Sequence, residues 1–296
     1  MYEIKITNLT NNSVLTFNNP ASPFIITEIL GLSGPQVNIN MDESAVIDGA
    51  FYNSSKARLR ELQIAFAIDY KAAANRQIVY KVLQAGKKIR VDYKDQEGLE
   101  VYVEGYCGQV DIPHFAKKQI CTVPISCPDA YWTAMESIVN GFVYSISSFH
   151  FPFYSESTPE IIFGEEVHGN EIVIDNEGSV DIGFIATIKV VDSSVLAAAF
   201  VIRNLDTGEE MSIMGAVPGL MVDDGDIITI NTIPNQRSVT LKRGNTTYNA
   251  LILTGIGDSD EWIRLIPGEN TLHTYISGSS DALEISITHA PLYEGV

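Results

Sequence analysis

The stretch Trp262-Ile-Arg-Leu-Ile-Pro-Gly-Glu-Asn-Thr-Leu272, with Leu283-Glu-Ile-Ser-Ile-Thr-His289 beyond it, decides how this 296-residue chain is read. Pro267-Gly268 is a turn dipeptide, and its glycine can take the positive φ of a type II turn. After it Leu283, Ile285 and Ile287 alternate with Glu284, Ser286 and Thr288, the period-2 pattern of a half-buried strand. Tyr293-Glu-Gly-Val296 follows at once, so the C-terminus is expected to be tied into the sheet that this strand closes. The segment carries no nucleophile motif, metal cluster or phosphate loop, which points to structure rather than catalysis.

The second half as a whole reads almost entirely as strand. Period-2 runs occur at 171–174, 184–190, 199–202, 211–214, 226–230, 239–241, 248–253, 263–266, 272–276 and 283–287. Turn pairs separate them: Glu177-Gly, Thr207-Gly, Asp224-Gly, Arg243-Gly and Pro267-Gly. Short strands at that spacing predict an antiparallel β-sandwich. No internal repeat is visible.

The first half is mixed. Tyr2, Ile4 and Ile6 share one face of an opening strand, and Leu62, Ile64, Phe66 and Ile68 one face of another. Between them a Gly-, Ser- and Asn-bearing stretch, Leu32–Ser55, reads as a long loop, and long loops are often working surfaces. Asp69 fits the N-cap of a helix from about Tyr70 to Gln84. Ile78, Val79, Val82 and Leu83 form its apolar face, Gly86 fits C′, and Lys87 and Lys88 sit beside its negative end. A hairpin follows, with Ile89 and Val91 leading into Asp95-Gln-Glu-Gly98 and Val101 and Val103 leading out. Further strands are expected at 109–112 and 120–125. From Met135 to about Glu166 the pattern loses its period, so residues 135–165 read as a linker between domains at 1–134 and 166–296.

Composition narrows the function classes. The hydrophobic share of 45% supports packed cores, and two domains are expected at this length. No uncharged apolar run is long enough to insert in a membrane, and the strand-like N-terminus does not read as a signal peptide. Three cysteines, Cys107, Cys121 and Cys127, read as reduced thiols of a protein folded in the cytoplasm. Net charge is −18, and it is uneven. Residues 1–140 hold 13 of 19 basic and 15 of 37 acidic groups, a balance of −2, which leaves −16 for residues 141–296. Such a surface repels phosphate backbones, which argues against sequence-specific nucleic-acid binding.

The candidates for chemistry are thin. Asp223-Asp-Gly-Asp226 resembles a fragment of a calcium loop but lacks the rest of it, and a polar turn accounts for it, as for Asp258-Ser-Asp-Glu261. The cysteines and His114 have no ligand pair at zinc spacing. None of His114, His150, His168, His273 and His289 stands in a catalytic motif. No pair of carboxylates is nominated for glycoside hydrolysis. Neither metal nor cofactor is therefore expected, and no enzymatic activity. Trp262, Trp132 and the aromatic cluster Phe149–Tyr154 could stack on sugar rings, although aromatics in a sandwich are more often core or interface anchors.

Several segments together resemble the distal tail (Dit) proteins of long-tailed bacteriophages. They are Cys127-Pro-Asp-Ala-Tyr-Trp132, the aromatic Gly141–Phe153, Asn176-Glu-Gly178, Asn204-Leu-Asp-Thr-Gly-Glu209, Asp224-Gly-Asp-Ile-Ile-Thr-Ile230 and Leu265-Ile-Pro-Gly-Glu-Asn270, with Tyr293–Val296. The resemblance spans nearly the whole chain, though each motif alone is short. It implies a mainly β fold: an N-terminal split β-barrel with one α-helix, and a C-terminal galectin-like antiparallel sandwich. It also implies a structural virion protein, a homohexameric ring at the phage tail tip assembled in the host cytoplasm. Its partners would be the major tail tube protein, the tail hub or tail-associated lysin-like protein, and a receptor-binding protein. Ring contacts would fall on Asp69, Ile78, Val82, Lys87 and Lys88 of the helical segment and on the Leu32–Ser55 loop. The alternative is a carbohydrate-binding module for cell-surface glycans, with Trp262 as the sugar contact. The second domain, about 130 residues from Glu166, leaves no room for a large inserted binding module.

Overall fold

The computed structural model describes residues 2–43, 46, 48–116, 119–147, 164–168, 170–194, 200–217, 219–255, 261–275 and 282–296. The chain divides into two compact units, Met1–Met135 with Leu292–Val296, and Glu136–Pro291.

Unit 1 runs β1 (Glu3–Asn8), β2 (Val14–Phe17), β3 (Phe24–Leu30), β4 (Val37–Glu43), β5 (Ala50–Ala57), β6 (Arg60–Ile68), α1 (Ala72–Val82), β7 (Lys88–Lys94), β8 (Glu100–Cys107), β9 (Ile120–Cys127) and β10 (Trp132–Ala134). Its main sheet is antiparallel in the order β2-β1-β7-β8-β9-β6-β3. β2 and β3 are the ends of that path, yet Phe17 and Phe24 have ring centroids 6.1 Å apart. Phe66 of β6 meets Phe17 edge-on at 5.0 Å. The sheet therefore curls until its two edges share one core, a split barrel. Val79, Val82 and Leu83 of α1 pack into that core beside Ile4, Ile6 and Leu15.

The β7–β8 hairpin follows the sequence reading. Val91 pairs with Val103, and Asp95 Oδ1 accepts the backbone N–H groups of Glu97, Gly98 and Leu99. The 109–112 strand does not form; only an isolated bridge joins Asp111 to Thr122.

Three other expectations for unit 1 are corrected. Asp69 does not cap the helix. The cap is Lys71 in the left-handed region, with no side-chain hydrogen bond, and helical structure begins at Ala72, too far along for the Asp69 carboxylate to reach. Gly86 has its positive φ, +74°, but lies beyond C′, because the helix ends at Val82 with Leu83 as its C-cap. The Leu32–Ser55 loop is not a loop: β4 and β5 form an antiparallel hairpin. Gly31 begins the approach to it with φ +91°, where a Cβ would sit 2.1 Å from the Glu61 carbonyl oxygen, so only glycine fits.

Unit 2 runs β11 (Ile138–Gly141), β12 (Val143–Ser147), β13 (Gly164–His168), β14 (Glu171–Asn176), β15 (Ile185–Val190), β16 (Phe200–Asn204), β17 (Glu210–Ile213), β18 (Ala216–Val217), β19 (Leu220–Met221), β20 (Ile227–Asn231), β21 (Ser238–Arg243), β22 (Thr246–Asn249), β23 (Gly268–Tyr275) and β24 (Leu283–His289). A six-stranded sheet, β11-β24-β15-β20-β21-β22, and a four-stranded sheet, β14-β23-β16-β17, form the antiparallel sandwich. Ile188, Ile228, Leu241 and Ile287 are buried from the first sheet, and Ile174, Ile202, Met211 and Leu272 from the second.

Residues 138–147, which read as part of the linker, are strands β11 and β12; residues 148–163, with Pro152, Pro159 and Phe149–Tyr154, lie outside the described residues. β11 is a short edge strand paired with β24, too brief to show a period in sequence. The 248–253 run splits between β22 and a 3-10 turn at Leu251–Leu253, and 263–266 keeps only a bridge from Leu265 to Ile182.

The terminal stretch holds the largest correction. β24 lies between β11 and β15, not at a closing edge. Beyond Pro291 the chain leaves unit 2, and β25 (Leu292–Tyr293) pairs with β10 of unit 1 in the register Trp132↔Tyr293 and Thr133↔Leu292. Val296 donates its N–H to the Leu32 carbonyl at 3.0 Å. Unit 2 is thus inserted in the sequence of unit 1.

Candidate assembly surface

The β4–β5 hairpin stands apart from the rest of unit 1. None of its described residues is buried. The strands nevertheless carry an alternating pattern: Val37, Ile39 and Met41 lie on one face, opposite Ala57, Ser55 and Tyr52. Val37, Ile39, Met41 and Tyr52 are 48%, 56%, 56% and 62% exposed. Asn38, Asn40 and Asp42 take the other face, and Asn40 bonds Ser54 Oγ at 2.9 Å. A lone two-stranded hairpin is marginal in water. A row of large apolar groups that no part of the described chain covers marks an interaction surface.

The root of the hairpin is firmly held. Arg58 donates its backbone N–H to the Gln36 carbonyl at 2.7 Å. Arg60, 2% exposed, donates Nε to the Ala130 carbonyl at 2.9 Å and Nη1 to Ser33 at 2.7 Å, and it also bonds the carbonyls of Gly31 and Glu294. Its guanidinium carbon lies 5.5 Å from the Trp132 ring centroid. Burial holds the Arg60 pKa below the ordinary arginine value. One buried cation with carbonyl partners therefore ties the hairpin root, the 130 turn and the C-terminal tail together.

The helical segment presents a different character. Val82 is 1% exposed and belongs to the core, so it has no surface to offer a partner. Ile78 faces out at 44%, not inward with Val79 as its spacing suggests, and Tyr80 is 38% exposed. Lys88 places Nζ 2.5 Å from Glu104 Oε2 across the β7–β8 pair, which raises its pKa mainly through that hydrogen bond. Its charge serves that sheet pair. Lys87 is exposed, and Asp69 is exposed with its N–H bonded to the Pro23 carbonyl. Of the five residues nominated from sequence, Asp69, Ile78, Lys87 and Lys88 are exposed, Lys88 being engaged by Glu104, and Val82 is buried.

Several of the described residues nominated for chemistry make structural contacts. Arg243 donates Nε to Asp226 Oδ1 at 2.9 Å and reaches Asp223 Oδ2 at 2.9 Å. The guanidinium thus occupies the carboxylate pair that resembles part of a calcium loop, and its hydrogen bond to Asp226 lowers that acid's pKa. Cys107, Cys121 and Cys127 are free and buried, with desolvation pushing their pKa values up to about 11, 11 and 12. Among the described residues no three His, Cys, Asp or Glu side chains are placed to share a metal ion. His114 Nδ1 lies 3.0 Å from Arg76 Nη1. Asp258 and His150 lie outside the described residues. Trp262 lines a surface depression of about 250 Å³ with Tyr248, Asn249 and Thr240. The Arg237 guanidinium lies 5.5 Å from its ring centroid.

Sequence reasoning missed Arg60 and the hairpin. The alternation of Val37, Ile39 and Met41 with asparagines was a signal for the strand. Nothing in sequence marked Arg60, because an arginine at the start of a strand is ordinarily solvated.

No family model matches the chain, and no curated protein matches it. Solved structures do. The crystal structure of the Dit (gp 19.1) protein of phage SPP1, described as a paradigm of the hub adsorption apparatus in Gram-positive infecting phages, aligns with a TM-score of 0.62 at 11% identity, covering 97% of this chain and 98% of that one. Two structures of the phage P2 baseplate in its activated conformation, with Ca and with Sr, align at 13% identity and a TM-score of 0.47 over 98% of each chain. The chain has the fold of the SPP1 Dit protein from end to end.

Proposed function

We propose that this chain is a structural protein of a phage tail tip, assembled in the host cytoplasm as a homohexameric ring that joins the tail tube to the hub and receptor-binding apparatus. The carrying observation is the fold shared with a phage hub adsorption protein across 97% of the chain, both units included. The ring-forming part is unit 1, Met1–Met135 with Leu292–Val296, and unit 2, Glu136–Pro291, carries the sandwich. Two features of the residues support this division. Unit 1 is close to neutral and carries the uncovered apolar face of the β4–β5 hairpin, which suits contacts between copies. The second half, at −16, suits a soluble rim. Among the described residues Asp223 and Asp226 pair with Arg243 and the three thiols are buried, and no catalytic step is assigned.

Light scattering on the chromatographed chain, with negative-stain imaging, tests the reading. Six copies of 32.5 kDa give about 195 kDa. A chain that stays monomeric at high concentration, and also ignores tail-tube and hub proteins, overturns the proposal. A second reading, glycan binding, is favoured only by the depression beside Trp262. It predicts quenching of Trp262 fluorescence by cell-wall glycans, and flat titrations across a glycan panel remove it.

A further inference from the structure

The two exposed surfaces of unit 1 are opposites in charge. The β4–β5 hairpin carries the exposed acids Asp42, Glu43 and Asp48 at its far end, and its one basic residue, Lys56, lies near the root. From Lys71 to Lys87 the helical segment carries Lys71, Arg76, Lys81 and Lys87 and no acidic residue. Among the described residues none of these four cations is in an ion pair, although all three basic groups of the adjoining β7–β8 hairpin are: Lys88 with Glu104, Arg90 with Asp92, Lys94 with Glu100. The surfaces also match in apolar content, since Ile39, Met41 and Tyr52 stand open on the hairpin and Ile78 and Tyr80 on the helix.

Resting on the ring reading above, we infer that the acidic end of the β4–β5 hairpin of one copy docks on the cationic segment Lys71–Lys87, which includes α1, in the next copy. The contact is head-to-tail. Each copy offers a hairpin and a helix, so the interface uses two different patches rather than one self-complementary patch. Heterologous contacts of this kind close into rings when the rotation between copies allows it. Opposite charges steer the encounter and fix its register, and burial of the apolar rows supplies the holding energy. Two helices of adjacent copies repel each other, as do two tips, which disfavours the symmetric pairing.

A charge-swap experiment on the full chain tests this. One variant carries Asp42→Lys, Glu43→Lys and Asp48→Lys; a second carries Lys71→Glu, Lys81→Glu and Lys87→Glu; a third combines all six. All six positions are exposed, and matching circular dichroism checks the fold. Sedimentation at low salt should show each triple variant weakened in association by roughly tenfold or more, with the combination restored to within about threefold of the wild type. A wild-type ring indifferent to either triple, or weakened by both and not restored by the combination, overturns this inference and leaves the ring reading standing. A wild-type chain that never associates overturns both.

Discussion

Arg60→Ala removes a buried cation that holds three separated segments. The wild-type side chain reaches the carbonyls of Gly31, Ser33, Ala130 and Glu294 from a position only 2% exposed. A hydrogen bond from a charged donor is worth about 1.5–3 kcal/mol net, and a buried carbonyl left without a partner costs about 1–3 kcal/mol. These do not add fully. The cavity admits some water, and losing a desolvated charge removes the penalty seen in its lowered pKa. The balance is a loss of about 4 kcal/mol, in the range of broken buried ionic networks. For a unit of this size that is a fall in Tm of roughly 10–15 °C in calorimetry. Arg60→Lys should fall between, because one ammonium cannot span carbonyls on three segments. Hydrogen exchange should meanwhile quicken at Val296, whose N–H is bonded to the Leu32 carbonyl beside the hairpin root. An Arg60→Ala protein that melts within about 3 °C of the wild type would show that water replaces the guanidinium at little cost, and would refute the reasoning.

Three further outcomes are expected. His289 is 2% exposed, both its ring nitrogens are unpartnered among the described residues, and burial lowers its pKa from 6.5. The unfolded chain therefore binds the proton more readily; stability is full above about pH 7 and falls as pH drops below 6.5, and melting curves of His289→Phe should lose that slope. Asp226→Ala leaves Arg243 without its main partner and the Asp223 N–H without an acceptor; because Arg243 is 41% exposed, a loss of about 2 kcal/mol is expected by chemical denaturation rather than the full buried-pair value. Cys107, Cys121 and Cys127, with pKa values near 11, 11 and 12 and no exposed sulfur, should resist a thiol reagent at pH 8 in the native protein and all react in denaturant.

Where a pattern repeats within one element, the sequence was legible. The runs around Phe184–Val190 and Leu283–Ile287 alternate because one face of each strand packs against the opposite sheet, and that local fact is written residue by residue. The helix was legible as a helix but not in its facing: Ile78 sits next to Val79 in sequence, and only the barrel fixes which of the two turns inward. Its start was misplaced for a similar reason. Asp69 has the chemistry of a cap, but the chain enters α1 through a left-handed Lys71 instead. The hairpin carried the right alternation and was masked by its Asn, Ser and Gly content, which is typical of loops. β25 and Arg60 were not legible. A two-residue strand has no period, and its partner lies about 160 residues away.

The insertion of unit 2 links these observations. β10 and β25 are antiparallel partners at the two ends of the insertion, so the sheet of unit 1 is completed by the last residues of the chain. Glu294 then supplies the carbonyl that Arg60 Nη2 takes. The same guanidinium bonds Gly31 and Ser33, where the chain turns out toward the β4–β5 hairpin. Gly295 lies against this root as well, since a Cβ placed there would fall 3.1 Å from the Gly34 nitrogen. The orientation of the hairpin and the capture of the tail thus share one residue.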